Sequence, residues 1–228
     1  MRTRFFLLLI FAVVSIASWV MTGSANVPEI FQQVELKYAA AKTFKADFQQ
    51  KKFVKAFEIT KESKGKIFLS RPNKIRWEID APDSSLMVMD GDVVKIYKPP
   101  FDATDPEDRG QLIIDRADHV QSDFVRGLLA GQISVLKGMT ITKLSESLYE
   151  LKKTDGKPVN SVRSARIEVD TNQKLIKKIS LSYVEGNETD IFLTAIELGA
   201  SLPEKSFTID APAHTDIIDR IRVTAKKK

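Results

Sequence analysis

A chain of 228 residues, 43% hydrophobic and 29% charged, is long enough for a substantial core and too apolar for a disordered protein. It has no cysteine, which excludes disulfides, thiolate metal sites, a cysteine nucleophile and a lipid-modified cysteine of its own. The formal charge of +5 falls to +3 once Arg2 and Arg4 are set aside with an N-terminal leader, and no basic stripe interleaved with aromatics points to nucleic acid.

That leader is the first element. Arg2 and Arg4 precede the apolar run Phe5 to Met21, and Gly23, Ser24 and Ala25 supply small residues where a signal peptidase cuts. Residues 1–25 are expected to be a cleaved secretory signal, leaving 26–228 as one exported domain; the alternative, a short uncleaved anchor, is weakened by two serines in the run.

A helix is expected next. Asn26 and Glu29 have capping-box spacing, and Val27, Ile30, Phe31, Val34, Tyr38 and Ala41 fall near one face. The period then changes to two: Phe44, Ala46 and Phe48 alternate with polar residues, Ile67, Leu69 and Arg71 share a face, and Ile75, Trp77 and Ile79 alternate with Lys74, Arg76 and Glu78. Phe68 breaks the alternation. Met87 and Met89 share a strand face, and Asp90-Gly91 suits a hairpin turn.

A polar, proline-containing loop from Pro99 to Arg109 interrupts the strands. After it, Ser122 to Gly131 reads as a short helix with Phe124, Val125, Leu128 and Leu129 on its apolar face and Gly131 as terminator. The second half offers strands in "LYELKK", "VRSARIEVD", "KLIKKISLSY", "TDIFLTAIEL" and "SFTIDAP", divided at Asp155-Gly156, Thr171-Asn172 and Gly186-Asn187. No βαβ rhythm appears, so the expected fold is mainly β (α+β): an incomplete, curled antiparallel barrel covered by a lid of short helices. The terminal triple lysine is expected to be a solvated tail.

Catalytic signatures are lacking. His119 and His214 are the only two histidines, far apart in loop-like surroundings, and there is no G-x-S-x-G elbow, H-E-x-x-H or phosphate-binding glycine loop. Asp102, Asp105, Glu107 and Asp108 lack EF-hand spacing and read as a solvated loop. The inward aromatics, aliphatics and methionines fit either a packed core or the wall of an apolar cavity, for which methionine is an adaptable lining. Alternation puts Arg76 toward solvent. It puts Arg71 at the rim of the apolar face, where its N–H donors need oxygens, from carboxylates or from helix-end carbonyls.

Several of these features together resemble a known family. They are F-x-A-x-F-x-Q from Phe44 to Gln50, G-x-I-x-L-x-R-P ending at Arg71 and Pro72, Arg76-Trp77, Pro82, the Asp90-Gly91 turn with Tyr97 downstream, and "FTIDAPAHTDII" from Phe207. In order and spacing they are similar to the periplasmic outer-membrane lipoprotein carriers, the LolA family. The resemblance implies a non-enzymatic carrier without cofactor, a monomer with a hydrophobic cavity. It would take acylated lipoproteins from an inner-membrane ABC transporter of the LolCDE type and hand them to a LolB-type acceptor. It casts Arg71 as a lid latch on helix carbonyls, with Val34, Tyr38, Leu128 and Leu129 on the lid face. It makes Phe44, Phe48, Ile67, Leu69, Ile75, Trp77, Ile79, Met87 and Met89 the cavity lining. Two alternatives stay open: a carrier of another envelope lipid or glycolipid, and an RseB-like lipoprotein or stress sensor.

Overall fold

The computed structural model describes residues 27–120 and 123–225. The expected leader, Asn26, the Ser122 cap and the terminal triple lysine lie outside the described residues.

The chain begins with α1 (Glu29–Ala39), entered through Pro28 and without a side-chain cap. Five antiparallel connections follow through β1 (Thr43–Val54), β2 (Ile59–Ser70), β3 (Lys74–Ile79), β4 (Ser85–Asp90), β5 (Val93–Lys98) and β6 (Gly110–Arg116). Two short helices, α2 (Ala117–Val120) and α3 (Asp123–Leu129), lead into β7 (Met139–Lys143), β8 (Leu148–Lys153), β9 (Val162–Asp170), β10 (Leu175–Tyr183) and β11 (Glu188–Leu198). The chain ends with β12 (Thr215–Asp219) and α4 (Arg220–Ala225).

All twelve strands form one sheet in the order β12-β6-β5-β4-β3-β2-β1-β11-β10-β9-β8-β7. The sheet curls without closing, so β7 and β12 are its two edges. The seam where the first and second halves of the chain meet is β1 against β11, with Phe48 opposite Leu193 and Gln50 opposite Ile191. The close approach of β3 to β2 beside this seam depends on Gly65: a Cβ there would stand 1.8 Å from the Glu78 carbonyl oxygen and 3.1 Å from Phe48 Cε1. Only glycine permits so close an approach of neighbouring backbone.

Period two is a faithful guide to the concave face. Phe44, Ala46, Phe48, Ile67, Ile75, Met89, Ile167, Ile179 and Leu193 are buried there in one cluster with Phe31, Val34 and Tyr38 of α1 and Phe124, Leu128 and Leu129 of α3. Two segments depart from expectation. "SFTIDAP" is not a strand: Glu204–Phe207 is a single 3-10 turn, and Phe207 and Ile209 pack across the convex face of the sheet against Val88 and Leu112. Phe68, Leu86 and Tyr97 join this second cluster, which explains the apolar Phe68 on the outward side of β2. Beyond this strap, β12 pairs in parallel with β6, Thr215 opposite Gly110. A parallel pair arises without a βαβ unit because the chain returns over the back of the sheet.

Arg76 is accordingly not a free solvent-facing charge. Its guanidinium donates to the Glu78 carboxylate and, at 2.9 Å, to the Ser206 carbonyl, clamping the strap to β3.

Candidate functional site

The helices α1 and α3 cover one half of the concave face. From α1, Phe31 meets Tyr149 edge-on at 5.0 Å between centroids, and Tyr38 stacks on Phe44 at 5.7 Å. The Ile176 N–H donates to the Tyr38 hydroxyl at 3.2 Å, and burial pushes that phenol up to about 12. Glu35, on the outer part of the helix, accepts the Ile133 N–H at 3.0 Å and so joins α1 to the segment after α3. Burying Phe31, Val34 and Tyr38 contributes about 1.5–3 kcal/mol each.

Helix α3 ends as its glycine predicts. Gly131 has φ of +64°, its N–H reaches the Leu128 carbonyl, and the Gln132 N–H reaches the Gly127 carbonyl at 2.8 Å, a Schellman closure. The same glycine leaves room for α1, since a Cβ there would lie 2.7 Å from Tyr38 Cγ. One carbonyl of this terminus, that of Ala130, accepts a 2.9 Å hydrogen bond from Arg71 Nη2. Arg71 thus sits at the rim of the apolar face and bonds a helix-end carbonyl. On the other flank of α3, Arg126 donates to Met89 Sδ at 3.1 Å.

Beyond the helices the concave face opens into a cleft of about 630 Å³. Its apolar wall comprises Trp77, Ile79, Met87, Ile96, Val125, Val162, Leu181 and Ile191; Gln50, Lys52, Ser85, His119, Asn160, Tyr183, Asn187 and Thr189 provide polar groups around it. Of the nine expected lining residues, Trp77, Ile79 and Met87 are on this wall. Phe44, Phe48, Ile67, Leu69, Ile75 and Met89 are instead buried under the helices. The reason is steric: α1 and α3 fill that end of the half-barrel, and strand alternation cannot say what lies over a face.

The remaining wall comes from β9, β10 and β11. Its inward alternation was legible in Leu181 and Tyr183 of "KISLSY", but nothing local shows that β11 crosses to β1 and brings these strands opposite Trp77.

The other polar clusters sit in local networks. Asp115, 4% exposed, lies 2.9 Å from His119 Nδ1 and 3.3 Å from Arg220 Nη1, tying α2 and α4 to β6. The His119 contact is the main cause holding its carboxyl below the ordinary aspartate range. His214 precedes the strand residue paired with Gly110, at the opposite end of β6 from His119, so the histidines are apart. Among the described residues no group of three or more His, Cys, Asp or Glu side chains is placed to hold a metal. In the acidic loop, Asp102, Asp105 and Asp108 accept N–H bonds from the loop itself. Asn187, the sequon asparagine, accepts the Lys55 N–H at 2.9 Å.

Residues 39–210 match the family model described as outer membrane lipoprotein carrier protein LolA. The outer-membrane lipoprotein carrier protein of Pseudomonas paraeruginosa is 27% identical over 190 residues, covering 78% of this chain and 82% of its own length. That of Dechloromonas aromatica is 26% identical over 178 residues, covering 78% and 81% respectively. Among solved structures, an uncharacterized conserved protein from Thermus thermophilus superposes with a TM-score of 0.50 at 13% identity, over 84% of this chain and 98% of that one. At that identity the likeness concerns the fold alone.

Proposed function

This chain belongs to the outer membrane lipoprotein carrier (LolA) family, and from that premise we propose that it is a periplasmic chaperone for acylated lipoproteins. In this reading residues 1–25 are removed on export. An inner-membrane ABC transporter of the LolCDE type loads residues 26–228, and the cargo passes to a LolB-type acceptor at the outer membrane. The reading assigns no catalytic step.

The observation that carries it is one apolar concave face with two regions: an open cleft, and a floor covered by helices whose α3 terminus is bonded to Arg71. The open cleft, about 630 Å³, has room for an acyl chain. Lifting of α1 and α3 for a triacylated cargo would add Phe44, Phe48, Ile67, Leu69, Ile75 and Met89 to the lining. Val34, Tyr38, Leu128 and Leu129 are then the lid face, and Arg71 is the latch.

The energies make such an exchange workable. Releasing Phe31, Val34 and Tyr38 from the core costs about 5–9 kcal/mol, and a buried methylene returns about 0.8 kcal/mol. Roughly ten methylenes offset undocking of α1, so one long chain does so and further chains drive loading. When the cargo leaves, the helices recover their own contacts, which keeps affinity low enough for transfer.

The test is release of newly made, acylated lipoprotein from spheroplasts on addition of the purified protein. A soluble one-to-one complex in the supernatant is the expected result. Lipoprotein remaining with the membrane, while an active family carrier releases it in parallel, refutes the reading.

A further inference from the structure

On the outward side of the sheet several lysines find carboxylates: Lys51 with Glu62 at 2.8 Å, Lys66 with Asp47 at 3.0 Å and Lys178 with Asp190 at 3.0 Å. The inward row ends differently. Lys52 lies on the same side of β1 as Phe44, Ala46 and Phe48, and it stands directly opposite Lys61 of β2 on one flank and Thr189 of β11 on the other. The β1–β2 register runs without a shift from Thr43 to Val54, so both lysines belong to the concave side. Among the described residues neither forms an ion pair.

Like charges directly opposite on a sheet are destabilising, and this pair could have been relieved by a single glutamate. Instead it stands at the mouth of the cleft, which Lys52 lines. Neutral donors are close by. Asn187, also on the cleft, uses its amide oxygen to accept the Lys55 N–H, so its NH₂ group remains a donor. Gln50 follows Phe48 on the inward row and lies between Lys52 and the apolar wall.

We propose that Lys52 and Lys61 form an anion subsite at the mouth, and that the cleft takes a single-chain amphiphile with an anionic carboxylate or phosphate head. The chain would lie along Trp77, Met87, Leu181 and Ile191. The cleft has room for one chain, and an anion relieves the repulsion between the two facing lysines. This rests on the reading of the cleft as an acyl site and extends it from neutral acylated ends to charged lipids.

The experiment is calorimetric titration of the purified chain with tetradecanoate, tetradecyl phosphate and tetradecanol at low salt. Both anions should bind roughly tenfold more tightly than the alcohol, with the advantage shrinking as salt is added. The tighter of the two identifies the head. The double variant Lys52→Gln/Lys61→Gln should lose that advantage and keep its affinity for the alcohol. It should melt no lower than the wild type, because repulsion is removed. Equal binding of alcohol and anions by the wild type, or a preference that survives in the variant, overturns the subsite and leaves the acyl cleft standing. If none of the three binds, the acyl reading of the cleft falls as well.

Discussion

Arg71→Leu removes the side-chain hydrogen bond that ties the end of β2 to the end of α3, the 2.9 Å contact with the Ala130 carbonyl. A hydrogen bond to a charged group contributes about 1.5–3 kcal/mol. Arg71 is only partly buried, so solvent competes and about 1–2 kcal/mol is the appropriate range. That corresponds to roughly a 5- to 30-fold rise in the opening constant of α3. Native-state hydrogen exchange reads this directly. Protection of the Ala130, Gly131 and Gln132 amides, which close α3 onto Arg126, Leu128 and Gly127, should fall by that factor, while amides of β1 and β10 keep theirs. Arg71→Lys, with a single ammonium in place of the fork, should fall between. In the lipoprotein assay Arg71→Leu should load but release poorly to an acceptor, because the open state is no longer penalised. Unchanged α3 protection, or an equal loss throughout the sheet, would refute the latch.

Gly65→Ala drives a methyl group into the Glu78 backbone, an obstacle that no rotamer relieves, and should cost about 3 kcal/mol in urea denaturation; a loss below about 1 kcal/mol would contradict the close β2–β3 approach. Tyr38 holds its phenol proton more tightly folded than unfolded, so its stabilisation is complete below pH 10 and is lost as pH rises toward about 12. The amount is on the order of 2–3 kcal/mol. Because burial also raises Tyr183, the informative quantity is the difference between wild type and Tyr38→Phe, which should narrow across that window; parallel curves would place Tyr38 in water. Tyr38→Phe should itself cost about 1–3 kcal/mol near neutral pH by leaving the Ile176 N–H buried without its acceptor. Met87→Glu puts a carboxylate on the cleft wall and should weaken binding of a neutral acyl probe at least tenfold, with little change in melting because Met87 is only half-buried; undiminished binding would move the acyl site elsewhere.

The local features of this fold were readable along the chain because each depends on neighbours in sequence. The change from helical to alternating period located α1 and the strands of the concave face. Gly131 marked the end of α3, and Arg71 stood at the rim of an apolar row where it needed a carbonyl or carboxylate. The order and spacing of the motifs from Phe44 to the segment beginning at Phe207 carried the family resemblance. What the tertiary structure decided was everything that depends on what lies across a face. Alternation assigned Arg76 and Phe68 to the outside correctly, but the outside is covered, because the chain after β11 returns over the convex surface. Phe207 and Ile209 alternate like a strand and make no ladder, since an alternating segment can lie on a sheet as well as within one. Phe48 and Trp77 share an inward face with ring centroids 4.8 Å apart, yet the one is buried with the helices in the core and the other lines the cleft. Strand periodicity specifies a side; only the packing of distant segments determines whether that side meets a helix, a strap or an open cavity.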